Sequence, residues 1–173
     1  EGAYLLRAHW TERDPAKLPW VNAQYMKQAD DARLAALVSN QLQRRGVEAF
    51  SDERNAQRCA LFKDRCTTVV ELADWLEMYF VDVTPSAQDL ATHVTAIVMP
   101  ALQALRSTLA EIEWDKASIA QAIKRTLADH QLKMPQLALP LRVLVCARPQ
   151  TPSVDAVLAL FDRDIVLSRL QHV

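Results

Sequence analysis

Along most of the chain, apolar residues recur every three or four positions, the spacing of helices with one buried face. Leu34, Leu37, Val38 and Leu42 form one such face, with Asp30 before it and Arg44, Arg45 and Gly46 behind it. An acid at the start, cations in the last turn and a glycine just beyond predict a helix from Asp30 to Arg45. A second helix is expected from Ser51 or Asp52 toward Arg65, carrying Ala56, Cys59, Ala60 and Leu61 on its face. Thr68 with Glu71 three residues later is a capping-box pattern. It opens a helix with Leu72, Leu76 and Phe80 in one stripe and Trp75 and Tyr79 beside it.

The pattern breaks between Asp82 and Pro85, which places two helical subdomains at 1–82 and 83–173. The next helix starts at Thr84-Pro85 or Ser86 and runs through Ile97, until Pro100 kinks or interrupts it. Leu102, Leu105, Leu109 and Ile112 continue at helical spacing, and Asp115 caps a helix bearing Ile119, Ile123 and Leu127. Pro135 and Pro140 bracket "QLAL", which reads as a turn of helix or an irregular link. Thr151-Pro152 reads as a capping hydroxyl followed by proline at the first helical position. Val154, Val157, Leu158 and Phe161 follow, and Ile165 to Leu170 make a last short helix. No interval of about 20–50 residues repeats, so a solenoid is not expected. The fold class is all-α.

Composition narrows the function classes. Two glycines in 173 residues leave no material for a glycine-rich phosphate loop. Charges interrupt every apolar run short of a membrane span, and no secretory leader opens the chain. The first residues, "EGAYLLRAHWTERD", lack an initiator Met and match no element, so the chain is expected to be a fragment with 1–14 an unplaced leader. Cys59, Cys66 and Cys146 are odd in number and form no C-x-x-C pair, which fits a reduced, intracellular setting. His9, His93, His130 and His172 are scattered without metal-ligand spacing. The net charge of −1 means that any nucleic-acid contact must be local, because no global basic field steers it.

Catalytic motifs are missing: no nucleophile elbow, zinc-binding H-E-x-x-H, Walker lysine loop or dinucleotide fingerprint is present. Two segments stand out instead. In "KLPWVNAQYM", Leu18, Trp20 and Tyr25 read as core, with Asn22 satisfying a helix end. In "LPLRVLVCARPQTPSVD", Arg142 interrupts an apolar run and precedes the helix start at Thr151-Pro152 across the turn Ala147-Arg148-Pro149-Gln150. A buried guanidinium needs a partner. A carboxylate supplies one reading. A planar, acceptor-rich anion such as an unstacked RNA base with its phosphate supplies the other.

These segments, with "RCTTVVELADWLEMYF" and the full run "LPLRVLVCARPQTPSVDAVLALFDRDIVLSRL", resemble the C-terminal anticodon-binding region of bacterial-type glutamyl-tRNA synthetases, over roughly residues 15–172. The resemblance implies two helical subdomains of the type found in class I aminoacyl-tRNA synthetases. It also implies anticodon recognition, with the glutamate anticodon loop and the chain's own N-terminal catalytic domain as partners. Glutamate activation, with ATP and magnesium, would belong to that domain, whose HIGH-type and KMSKS-type motifs are absent here; this fragment should not aminoacylate or hold a cofactor. Arg142, Thr151, Pro152 and Val154 fall on positions that contact anticodon bases, and Arg65 on the position that reads the third base. A monomeric, cytoplasmic protein is expected. The family usually carries glycine where this chain has Ala147 and Asp162. If the first of these needs a positive φ, alanine costs about 1 kcal/mol there. The rival reading is a helical protein-interaction module without RNA binding.

Overall fold

The computed structural model describes residues 17–172, with side chains from Trp20 to Gln171. His9, the side chains of Leu18 and His172, and the leader 1–14 lie outside that range. The described residues form ten α-helices and three short 3-10 turns without a strand, the all-α class that the periodicity predicts. They divide into two compact units that part between Val81 and Asp82.

The first unit holds α1 (Lys17–Gln28), α2 (Asp31–Arg44), α3 (Glu53–Phe62) and α4 (Val69–Leu76), with 3-10 turns at Lys63–Arg65 and Glu77–Tyr79. Local bonds set three of the starts. The Asp30 carboxylate accepts from the Arg33 N–H at 3.0 Å, Asp52 from Asn55 at 2.7 Å, and the Thr68 hydroxyl from Glu71 at 3.1 Å. The capping box is shifted by one residue: the Glu71 carboxylate reaches back to the N–H of Thr67, at 2.7 Å. That bond holds the Glu71 carboxyl below its ordinary pKa. Gly46, at φ 81°, follows α2.

α2 packs against α3 and α4 over Leu34, Val38, Leu42, Phe62, Leu72 and Leu76, all at 2% exposure or less. Each such side chain stabilises the fold by about 1.5–3 kcal/mol. The inner face of α3 differs from the expected one. Ala60 is exposed, whereas Asn55 and Arg58 are buried beside Cys59 and Phe62. The Asn55 amide N–H groups are satisfied there, donating to Ser39 Oγ at 3.2 Å and to the Phe50 carbonyl at 3.1 Å, while its Oδ1 is buried without a partner among the described residues. The Arg58 guanidinium lies 4.4 Å from the Tyr79 ring centroid and 5.2 Å from that of Phe80. Trp20 and Tyr25 are not core, with exposures of 65% and 70%. α1 buries Met26 instead, and at 3.6 residues per turn the two aromatics flank it, about 100–120° away on either side.

The second unit holds α5 (Ala87–His93), α6 (Met99–Glu111), α7 (Lys116–Asp129), α8 (Met134–Cys146), α9 (Val154–Ala159) and α10 (Arg163–Arg169), then a 3-10 turn at Leu170–His172. Ser86 and Asp115 cap α5 and α7, accepting from Asp89 at 3.0 Å and Ser118 at 2.8 Å. α5 stops at His93, short of the expected Ile97. Pro100 lies in the first turn of α6 and kinks nothing, because an N–H at that position has no intrahelical partner to lose. α8 packs against α5, α6, α9 and α10, and α7 against α6 and α9.

Candidate nucleic-acid interface

The segment read as a link between Pro135 and Pro140 is the first half of the continuous helix α8. Pro135 occupies its first turn, where the Lys133 N–H donates to Gln136 Oε1 at 2.7 Å. Pro140 lies inside it and has no N–H to give the Gln136 carbonyl, a loss of about 3 kcal/mol. Burial outweighs that loss. Leu137, Leu141, Val143, Leu144 and Val145 are all buried, at about 1.5–3 kcal/mol each.

Arg142 belongs to this helix and is half-buried among those apolar neighbours. α8 ends when Ala147 turns left-handed, at φ 55° and ψ 25°, its N–H returning to the Val143 carbonyl at 2.9 Å. The chain thus doubles back and brings Thr151 against Arg142. The Arg142 Nε donates to Thr151 Oγ1 at 3.0 Å, and its Nη2 makes a longer 3.4 Å contact to the Pro152 carbonyl. The Thr151 hydroxyl donates to the same carbonyl at 2.8 Å, so toward Arg142 it acts as the acceptor.

The helix start differs from the expectation. α9 begins at Val154 with Ser153 as its cap residue, and no side-chain bond closes that end. Thr151 is therefore not a helix cap. Its hydroxyl is committed across the turn, because Arg142 and the Pro152 carbonyl compete successfully for it. Thr151, Pro152 and Val154 are buried and form the floor of the turn, while Ser153 is exposed.

No ion pair engages Arg142 among the described residues, and its two partners are neutral oxygens. Of the five N–H donors on a guanidinium, those two bonds use two, which leaves three. The positive charge is held in place but not cancelled. The guanidinium is thus fixed in position by its own chain.

Behind the turn lies a support that the sequence did not signal. Arg169 Nη1 donates to the Val145 carbonyl at 2.6 Å, occupying one of the open carbonyls at the end of α8. Its guanidinium lies 5.0 Å from the Phe161 ring centroid, and burial lowers its pKa. The Phe161 carbonyl accepts from the Trp114 indole N–H at 2.7 Å. Arg163 lies over the Trp114 ring and donates to the Ala110 and Ile112 carbonyls at the end of α6. Cys146 lies within the field of Arg169, Arg142 and Arg148, yet burial still pushes its thiol up to about 12.

Ala147 therefore does hold a positive φ, the condition under which alanine strains the turn. Asp162 does not: its φ of −70° suits any residue, so the missing glycine costs nothing there. Arg65 belongs to the first unit, exposed at the end of the 3-10 turn that follows α3. The structure thus brings Arg142, Thr151, Pro152 and Val154 together in the second unit and leaves Arg65 in the other. Among the described residues, no group of three or more His, Cys, Asp or Glu is placed to hold a metal ion.

A family described as an anticodon binding domain matches residues 18–173. The chain is 62% identical over 161 residues to a glutamate–tRNA ligase of Leptothrix cholodnii, covering 92% of this chain and 34% of that protein. It is 54% identical over 158 residues to the glutamate–tRNA ligase of a Polaromonas species, covering 91% and 34%. The chain thus spans about a third of the length of the curated relatives it matches. Among solved structures, a glutamate–tRNA ligase from Elizabethkingia meningosepticum superposes with a TM-score of 0.81 at 18% identity, over 89% of this chain and 31% of that one. At that identity the likeness is one of fold.

Proposed function

The chain belongs to the anticodon binding domain family, and from that premise we propose that it is the anticodon-reading part of a glutamate–tRNA ligase, with Arg142 as its central base contact. The observation that carries this reading is the guanidinium fixed on Thr151 and Pro152 with its charge uncompensated. Unstacked loop bases offer ring and exocyclic acceptors to such a donor set, with an adjacent phosphate to meet the charge. Thr151, Pro152 and Val154 form the surface against which the base lies. Arg65, exposed on the first unit, is assigned to the third anticodon base. Activation of glutamate with ATP and magnesium falls to the part of the ligase that this chain does not align with. The chain would act as a monomer in the cytoplasm, binding the anticodon loop of glutamate tRNA.

The test is fluorescence anisotropy with a labelled anticodon stem-loop of glutamate tRNA. Arg142→Ala should weaken binding by about 1–3 kcal/mol, the size of a good hydrogen-bonded base contact. Arg142→Lys should not restore it, because a point charge cannot hold the hydroxyl and the carbonyl in the geometry of a planar fork. Arg65→Ala should erase discrimination against a loop changed only at its third anticodon base. A folded chain that binds this stem-loop no better than one of scrambled loop sequence overturns the reading. The protein-interaction module would then lead, with the exposed Trp20 and Tyr25 as its first surface to examine.

A further inference from the structure

A second feature of α8 lies one turn before Arg142. A groove of about 210 Å³ opens between the end of α5, the turn after it and the first half of α8. Its floor is apolar, from Val98, Leu139 and Pro140, and Ile97 stands 82% exposed at its edge. Four polar side chains line it, Thr92, His93, Thr95 and Gln136, and the Thr92 hydroxyl is spent on the Gln88 carbonyl at 2.7 Å. Gln136 Oε1 is taken by the Lys133 N–H. Neither its amide N–H groups nor the His93 imidazole bonds to any described residue.

We propose that this groove receives one unstacked base of the same RNA loop whose neighbour meets Arg142. The inference rests on the anticodon reading above and extends it to a second contact. Three features favour a base over other occupants. No Asp, Glu, Lys or Arg lines the groove, so it offers a phosphate no Lys or Arg charge to meet, whereas a neutral ring meets an apolar floor. The uncommitted imidazole and the free carboxamide N–H groups are the kind of groups that read the edge of a splayed-out base. Finally, Leu139 and Arg142 are three residues apart on one helix, which sets their Cβ atoms about 5–6 Å apart. A strand that leaves Arg142 toward the start of α8 finds the groove as its next surface.

The experiment replaces each loop base of the stem-loop in turn by an abasic site. Binding is measured to the unaltered chain, to the double variant His93→Ala/Gln136→Ala, to Ile97→Glu and to Arg142→Ala. Ile97 projects into solvent, so Ile97→Glu leaves the core intact, and equal urea midpoints check that every variant is folded. One loop position other than the one lost with Arg142 should cost the unaltered chain about tenfold in affinity. The double variant and Ile97→Glu should already have lost that tenfold and be insensitive to the same abasic site. If both bind every stem-loop as the unaltered chain does while Arg142→Ala weakens binding, the groove is not a base site and the anticodon reading stands. If Arg142→Ala is equally without effect, the anticodon reading falls, and this inference falls with it.

Discussion

Ala147 shows how a single residue can carry strain for the sake of a turn. A left-handed conformation costs an alanine about 1–2 kcal/mol, and here it redirects the chain so that Thr151 reaches Arg142. Glycine adopts the same angles without a Cβ penalty, although it gains entropy in the unfolded chain. Ala147→Gly should therefore stabilise the chain by about 0.5–1 kcal/mol net, read as a higher urea midpoint at unchanged slope. A lower midpoint would mean that the methyl group contributes packing worth more than the strain. At this scale Arg142 was legible as an anomaly, a charge inside an apolar run. What meets it was not, because Thr151 lies nine positions away and the bond depends on a left-handed alanine between them.

Among the elements, legibility followed the range of the interaction that decides each one. The starts of α2, α3, α4 and α7 rest on bonds spanning three residues, from Asp30, Asp52, Thr68 and Asp115, and such bonds are written into the local order of side chains. Asp52→Ala should cost about 1 kcal/mol, and Asp52→Ser should recover most of it, as measured by urea unfolding. Equal midpoints for the two variants would show that the 2.7 Å bond to Asn55 adds nothing. α8 resisted a local reading because burial of its far side offsets the defect at Pro140, and burial is a property of the packed unit. The inner face of α3 misled for the same reason. Ser39 and Phe50 take the amide N–H groups of the buried Asn55, Tyr79 and Phe80 face the Arg58 guanidinium, and only the fold makes those residues neighbours.

At the level of the whole molecule, a net charge of −1 sets the proposed RNA binding apart from one driven by phosphate neutralisation. If the affinity comes from a few shaped contacts that touch two or three phosphates, log Kd should change with log salt by a slope of about 2, over roughly 50–200 mM. A slope several times steeper, in the same anisotropy titration, would point to extended backbone contacts instead. The three cysteines have a practical bearing on such measurements. Cys59, Cys66 and Cys146 are 0%, 2% and 2% exposed, and burial pushes the Cys59 and Cys146 thiols up to about 12. A maleimide dye reacts with exposed thiolate, so the native chain is a silent background for thiol labelling. A single cysteine introduced at an exposed position such as Gln150 would carry the only reporter, with no native cysteine to remove first.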